Sequence, residues 1–285
     1  MGAYFQPGSL NEAVDVMSTH ALTVFAGGTD IFPSQTNALA RGEYEESDFI
    51  DISRIAGLDK ISISADAVEI GPLVTWTQLA ETDLPPEFDA LREAARQVGG
   101  KQVQNRGTII GNICNASPAA DGVPPLLALS AEVELSSKQG RRRLAIPDFI
   151  LGNRLTARRP DELVTGIFVP RMKNVTLSAF EKLGSRTYLV ISIAMVSVHF
   201  STTSDRTITD ARLAVGACSE VAHRLRELET LMVGQDLNSS VVELVTPERF
   251  DELAPIDDVR ATADYRRLTA ASLLRRAIGR LIASS

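Results

Sequence analysis

Apolar residues recur along this chain with two periods, near two for strands and near 3.6 for helices, and the alternation between them outlines its elements. Ser9-Leu10-Asn11-Glu12 has the form of a capping box and predicts a helix through about Met17. Apolar strands are predicted over residues 22–26 and 49–52, so a small α/β lobe ends near Gly57. Residues 60–64 alternate, Asp66-Ala67 turns, and residues 68–71 return as a hairpin. Thr75-Trp76-Thr77-Gln78 is a second capping box that opens a helix through Ala80, with Trp76, the only tryptophan, read as packing. After Pro85-Pro86, Leu91, Ala94, Ala95 and Val98 share one face of a helix from Phe88 to about Val98, ended by Gly99-Gly100.

Pro124-Pro125 opens a short apolar helix over 126–129, and residues 131–135 and 142–146 form a second hairpin. Arg141-Arg142-Arg143 reads as a solvated strand edge. Residues 147–160 are loop-like and leave Arg154, Arg158 and Arg159 available to a partner surface; residues 163–169 make a strand closed by Pro170. Beyond Asn174 the character changes to three antiparallel strands, at 177–180, 190–200 and 211–217. Helices follow at 221–231, 241–245 and 264–282. Tyr265, Leu268, Leu274, Ile278 and Leu281 repeat at helical spacing as a core stripe. His199 alternates with Val196, Val198 and Phe200, which places it on a solvent face. The order of elements is α+β, with domains at 1–174 (lobes about 1–57 and 58–174) and 175–285.

A chain of 285 residues is long enough for about two domains. A net charge of −7 argues against nucleic acid as the main partner, because phosphate binding needs a basic face. No apolar run reaches membrane-span length, and the N-terminus lacks a signal-peptide or myristoylation pattern. Cys114 and Cys218 stand far apart, which suggests a reducing compartment and a cytoplasmic chain. Neither they nor His20, His199 and His223 show metal-ligand spacing. P-loop, nucleophile-elbow and Gly-x-Gly-x-x-Gly patterns are all missing, and the last omission weighs against a Rossmann dehydrogenase.

Two stretches carry candidate chemistry. From Arg106 to Asp121 the chain crowds two glycines, two asparagines and several small residues among a few apolar positions. Glycine removes the Cβ that would hold a large polar ligand away from main-chain N–H groups. Thr108, Asn112, Asn115 and Ser117 add side-chain donors, and Asp121 can accept from a ribose or ribityl hydroxyl. Ala26-Gly27-Gly28-Thr29-Asp30 follows a strand and can form the opposite wall. Asp30 would repel a phosphate directly, so its expected role is to cap the next turn or bind a neighbouring amide.

These stretches, with Thr108-Ile109-Ile110-Gly111-Asn112, Asn115-Ala116-Ser117-Pro118-Ala119-Ala120-Asp121 and Phe180-Glu181-Lys182-Leu183-Gly184-Ser185-Arg186, resemble the flavin-binding subunit of the xanthine dehydrogenase and carbon monoxide dehydrogenase family of molybdenum hydroxylases. The resemblance implies a two-lobed FAD-binding domain of the vanillyl-alcohol-oxidase/PCMH type, then a C-terminal three-stranded antiparallel sheet with helices. It also implies partners: a small subunit with 2Fe–2S clusters and a large molybdopterin subunit, as a dimer of heterotrimers. Position by position, Val24, Phe25, Ala26, Gly27, Gly28, Thr29, Asp30 and Ile31 would form one wall for FAD, and Thr108, Ile109, Ile110, Gly111 and Asn112 the other. Asp121 would bind a cofactor hydroxyl, and Val98 and Val164 would line the cleft. Lys182 matches a family lysine near the flavin, or is an exposed strand residue.

Two positions depart from the family pattern. Ile110 stands where a motif glycine is usual; a β-branched residue does not tolerate positive φ, so either none is needed or the loop has shifted. Val190-Ile191 stands where an Asp-Ile pair is common. The implied function is electron transfer from iron–sulfur clusters through FAD to an external acceptor, with no catalytic base or nucleophile and no metal in this chain. Two alternatives are a self-contained flavin oxidase of the same fold and a cofactor-free scaffold subunit. The first often tethers its flavin through His or Cys, and intact glycine walls disfavour the second.

Overall fold

A computed structural model describes residues 2–43, 46–172, 174–186 and 190–284. In the first lobe β1 (Tyr4–Phe5) is followed by α1 (Leu10–Met17), β2 (Thr23–Phe25), α2 (Ile31–Arg41) and β3 (Phe49–Asp51). The strands form a parallel sheet in the order β1-β3-β2. Ser9 Oγ accepts from Glu12 N at 3.2 Å and the Glu12 carboxylate accepts from Gly8 N at 2.8 Å, so α1 starts where its capping residues predict. Its apolar face buries Ala13 and Met17 with Ile50 and Ile52. The other helix, α2, has no buried residue and leaves Phe32 and Leu39 exposed.

The second lobe runs through β4 (Ile61–Ile63), β5 (Ala67–Ile70), α3 (Trp76–Glu81), α4 (Asp89–Gln97), α5 (Lys101–Gln104), α6 (Ile109–Asn115) and α7 (Val123–Ala128). It continues with β6 (Glu132–Ser137), β7 (Gly140–Ala145), α8 (Ile146–Phe149), β8 (Ile150–Gly152), β9 (Leu155–Thr156) and β10 (Leu163–Pro170). Strands β4-β5-β10-β6-β7 make one antiparallel sheet, with the arginine-bearing β7 at its edge. Trp76, Phe88, Leu91, Ile109, Leu126 and Phe149 are wholly or almost wholly buried in its core. Each such side chain contributes roughly 1.5–3 kcal/mol on leaving water. The capping box predicted at Thr75 and Gln78 is formed in both directions.

The remaining chain builds β11 (Val175–Leu183), β12 (Ala194–Thr202), β13 (Ile208–Gly216) and β14 (His223–Arg224), then α9 (Arg226–Met232), α10 (Ser239–Glu243) and α11 (Ala263–Ala283). The sheet is antiparallel in the order β11-β12-β13-β14. The three-stranded sheet expected from the sequence therefore gains a two-residue fourth strand at its edge. All nine residues of β12 are buried. Val196, Val198 and Phe200 pack with α11 in one core, whereas Met195 packs with Ala90 and Ala94 of α4 on the other side.

That second covering overturns the solvent-facing expectation for His199, which is only 1% exposed. Its polar face is not a solvated one, because α4 and the turn before it lie across it. His199 Nε2 lies 3.0 Å from the carbonyl of Glu87, and burial pushes the imidazole down to about 3. The predicted stripe on α11 is also corrected at its start. Arg266 donates to the carbonyls of Ile193 and Ala217 and to Asp258, turning its own face of the helix inward. Leu274, Ile278 and Leu281 follow it into the core, while Tyr265 and Leu268 project outward.

Candidate functional site

Two adjoining cavities, of about 260 and 240 Å³, lie between the end of β2 and helix α6. They share Thr23, Val24, Ala26, Gly111 and Cys114, so they form one continuous cleft. One wall is the segment after β2: Gly27, Gly28, Thr29, Asp30 and Ile31 all line the larger cavity. Facing them are Thr108, Gly111, Asn112 and Asn115 of α6, with Trp76 and Val98 beside them. Ile110 and Val164 line the smaller cavity, as does Arg158.

The first wall is held open by backbone geometry. Gly28 has φ +71°, and a Cβ there would come within 3 Å of the Phe25 and Phe32 rings. A Cβ on Gly27 would come 2.1 Å from the Arg106 carbonyl oxygen, so the two motifs touch through bare backbone. Among the described residues, the N–H groups of Gly27, Gly28, Thr29 and Asp30 have no acceptor. Consecutive unbonded amides around a left-handed residue form a concave nest that suits an anion.

The second wall is a helix rather than the open glycine strip expected from its composition. Thr108 caps α6, its Oγ1 accepting from Gly111 N at 3.0 Å. Ile110 is therefore helical and almost fully buried, and this position needs no positive φ. Gly111 likewise has ordinary helical geometry; a Cβ there would meet only Thr108 Oγ1, at 3.0 Å. Asn112 Oδ1 also accepts from Gly122 N at 3.1 Å, which ties α6 to the start of α7.

Not every expected site residue faces the cleft. Ile109 is wholly buried in the core, and Phe25 packs its ring edge against Phe32 at 5.5 Å between centroids. Asp121 and Lys182 line neither cavity: each is the other's partner at 2.6 Å, so Lys182 is not an exposed strand residue. Burial pushes the Asp121 carboxyl up, opposed by Lys182 and by Ser192, whose Oγ lies 2.6 Å away. Lys182 Nζ also donates to the carbonyl of Gln97, next to the cleft-lining Val98.

Asp30 stands at the cap position of α2 but makes no capping bond; it binds a neighbouring amide instead, Asn115 Nδ2, at 2.8 Å. The Asn115 carbonyl accepts from Arg154. Desolvation by the walls raises the Asp30 carboxyl and Arg154 opposes the rise. Arg158 lines the smaller cavity, and Arg154 reaches the larger one through Asn115. The loop-like composition of residues 147–160 hid the short β8–β9 hairpin that brings them there.

Trp76 was expected to be packing alone, yet it both packs and lines the larger cavity. Cys114 lines both cavities, but burial pushes its thiol up to about 12, so it is no nucleophile near neutral pH. No histidine lines either cavity. The cleft thus combines unbonded amides and hydroxyls at its middle with apolar walls at Val24, Trp76, Val98 and Val164. That donor set fits a ligand with an anionic linker and flat, largely apolar ends, as FAD has.

A family profile described as the FAD binding domain in molybdopterin dehydrogenase matches residues 1–172. A second, the CO dehydrogenase flavoprotein C-terminal domain, matches residues 179–281. The chain is similar to the nicotine 6-hydroxylase medium subunit of Paenarthrobacter nicotinovorans, 28% identical over 96% of this chain and 95% of that one. It is 30% identical to the glyceraldehyde dehydrogenase medium chain of Sulfolobus acidocaldarius, over 93% of this chain and 92% of the other. A solved carbon monoxide dehydrogenase of Hydrogenophaga pseudoflava, lacking the Mo-pyranopterin moiety of its molybdenum cofactor, contains a chain that matches with a TM-score of 0.89. That match is 27% identical and covers 99% of this chain and 97% of that one.

Proposed function

The chain belongs to the family of FAD-binding flavoprotein subunits of molybdopterin dehydrogenases, and on that premise we propose that its cleft holds FAD for electron transfer. One observation carries the reading: both glycine segments meet across a single cleft, and Gly27, Gly28, Thr29 and Asp30, whose amides have no acceptor among the described residues, line it. These amides, with the hydroxyls of Thr29 and Thr108, hold the diphosphate. Val24, Ala26, Ile31, Val98, Ile110 and Val164 exclude water from the rest of the cleft.

Bound FAD supplies a carrier that accepts electrons one at a time and releases them in pairs. This chain's residues bind and orient it and need no general base. A small 2Fe–2S subunit delivers the electrons and a large molybdopterin subunit oxidises the substrate, in a dimer of heterotrimers. The relatives' names as medium subunits and medium chains support such a division of labour. A boundary at residue 174 is supported by the interval between the two family matches, which end at residue 172 and begin at residue 179. A cytoplasmic setting is supported by the two free thiols. Among the described residues no helix is long and apolar enough to cross a membrane.

Acid precipitation of the purified chain tests the binding mode. FAD released into the supernatant is the expected result, since no histidine lines the cleft and burial holds the Cys114 thiol protonated. Flavin retained in the pellet overturns the noncovalent assignment, and turnover of a substrate by this chain alone favours a self-contained oxidase.

A further inference from the structure

The cleft presents an electrostatic conflict. Of the residues lining its two cavities, only Asp30 and Arg158 carry a charge. Asp30 sits beside the unbonded amides of Gly27, Gly28 and Thr29, where an anionic group would lie. Burial raises its carboxyl, while its position at the N-terminus of the eleven-residue α2 and the nearby Arg154 favour the ionised carboxylate. An uncompensated carboxylate there repels a diphosphate.

The compensation comes from outside the cleft. Arg154 Nη1 donates to Asn115 Oδ1, and Asn115 Nδ2 donates to Asp30 Oδ1 at 2.8 Å. The amide cannot be turned around without losing both bonds, since its carbonyl faces a donor and its NH2 faces an acceptor. The backbone is held in an uncommon form to make this contact. Arg154 has φ +57°, Ala116 has φ +47°, and Arg154 N donates to the Ala116 carbonyl at 2.8 Å. Two adjoining left-handed residues that are not glycine cost on the order of 1–2 kcal/mol each. Such strain persists only where the surroundings over-determine it.

We propose that Arg154 is a positioning residue which, through Asn115, masks the charge of Asp30 and so lets an anionic diphosphate lie against the Gly27–Asp30 wall. This rests on the reading of the cleft as an FAD site. Arg154 touches no ligand itself; it sets the charge and orientation of two residues that line the cavity.

The test is a double-mutant cycle on the full chain, freed of flavin and titrated with FAD and separately with ADP, which carries the same linker without the flavin. Arg154→Asn suits the left-handed position and removes the charge; both ligands should bind about 10–100-fold more weakly. Asp30→Asn alone keeps the backbone amide and removes the repelling charge, so both ligands should bind at least as tightly as to wild type, and Arg154→Asn with Asp30→Asn should return affinity to within about threefold of wild type. A merely structural role for Arg154 predicts the opposite, a double variant at least as weak as Arg154→Asn. Either that result or an unchanged affinity in Arg154→Asn overturns the proposal while leaving the FAD reading intact. Failure of the wild-type chain to bind either ligand overturns both.

Discussion

Lys182 Nζ lies 2.6 Å from Asp121 Oδ2, with each side chain less than a tenth exposed. The pair joins β11 to the segment between α6 and α7, and Ser192 completes it from the other side of Asp121. Removing one member of a buried pair strands the other charge, at a cost of about 3–5 kcal/mol. Lys182→Met should therefore lower the unfolding free energy by that amount in urea. Adding Asp121→Leu should recover most of the loss. A Lys182→Met variant within about 1 kcal/mol of wild type would show that the pair contributes little.

His199 gives the fold a pH dependence of known sign. Its folded imidazole stays neutral down to about 3, while the unfolded imidazole protonates near 6.5. Protons thus bind the unfolded state preferentially between those values. The contribution of His199 is fully present above pH 6.5 and lost as the pH falls toward 3, with a slope of up to about 1.4 kcal/mol per unit. The difference in stability between wild type and His199→Gln should shrink along that course. A pH-independent difference would mean that the imidazole titrates alike in the folded and the unfolded chain.

The three motif glycines separate by cause. Gly27→Ala drives a Cβ into the Arg106 carbonyl, and Gly28→Ala meets both a left-handed backbone and two aromatic rings. Each should lower the thermal midpoint even without ligand, Gly28→Ala through a stability loss of about 1–2 kcal/mol from the backbone alone. Gly111→Ala lies inside a helix, where alanine gains up to about 1 kcal/mol over glycine. A tight contact with the Thr108 hydroxyl offsets part of that gain. Its midpoint should stay near wild type. Equal losses in all three would remove the distinction.

The same contrast explains what the sequence could reveal. Hairpins at residues 60–71 and 131–146 and the capped helices at Ser9 and Thr75 were legible because local pattern and local structure agree there. Helix α6 was not, because two asparagines and a glycine lower its propensity and drew attention to bare backbone. Its signal was the Thr108 cap followed by Ile109, Ile110 and Ile113, one buried helical face. His199 was misplaced because alternation on β12 marks two covered faces, and only the tertiary fold shows that α4 lies across the second. That the two stretches line one cleft was legible, but the helical form of the second was not. The Arg154–Asn115–Asp30 chain was not, since it joins residues 39 and 85 positions apart.

FAD affinity of the Gly111→Val chain tests the cleft most directly. Gly27 and Gly28 are required by the fold, so only Gly111 reports on the ligand with little structural cost. Losing two charge-assisted amide–phosphate bonds, each about 1.5–3 kcal/mol, weakens binding by roughly two to four orders of magnitude. The account predicts a folded, flavin-poor Gly111→Val protein by circular dichroism and absorbance, beside a wild type that binds one FAD per chain. Wild-type FAD affinity in the folded variant would contradict it and place the cofactor outside this cleft.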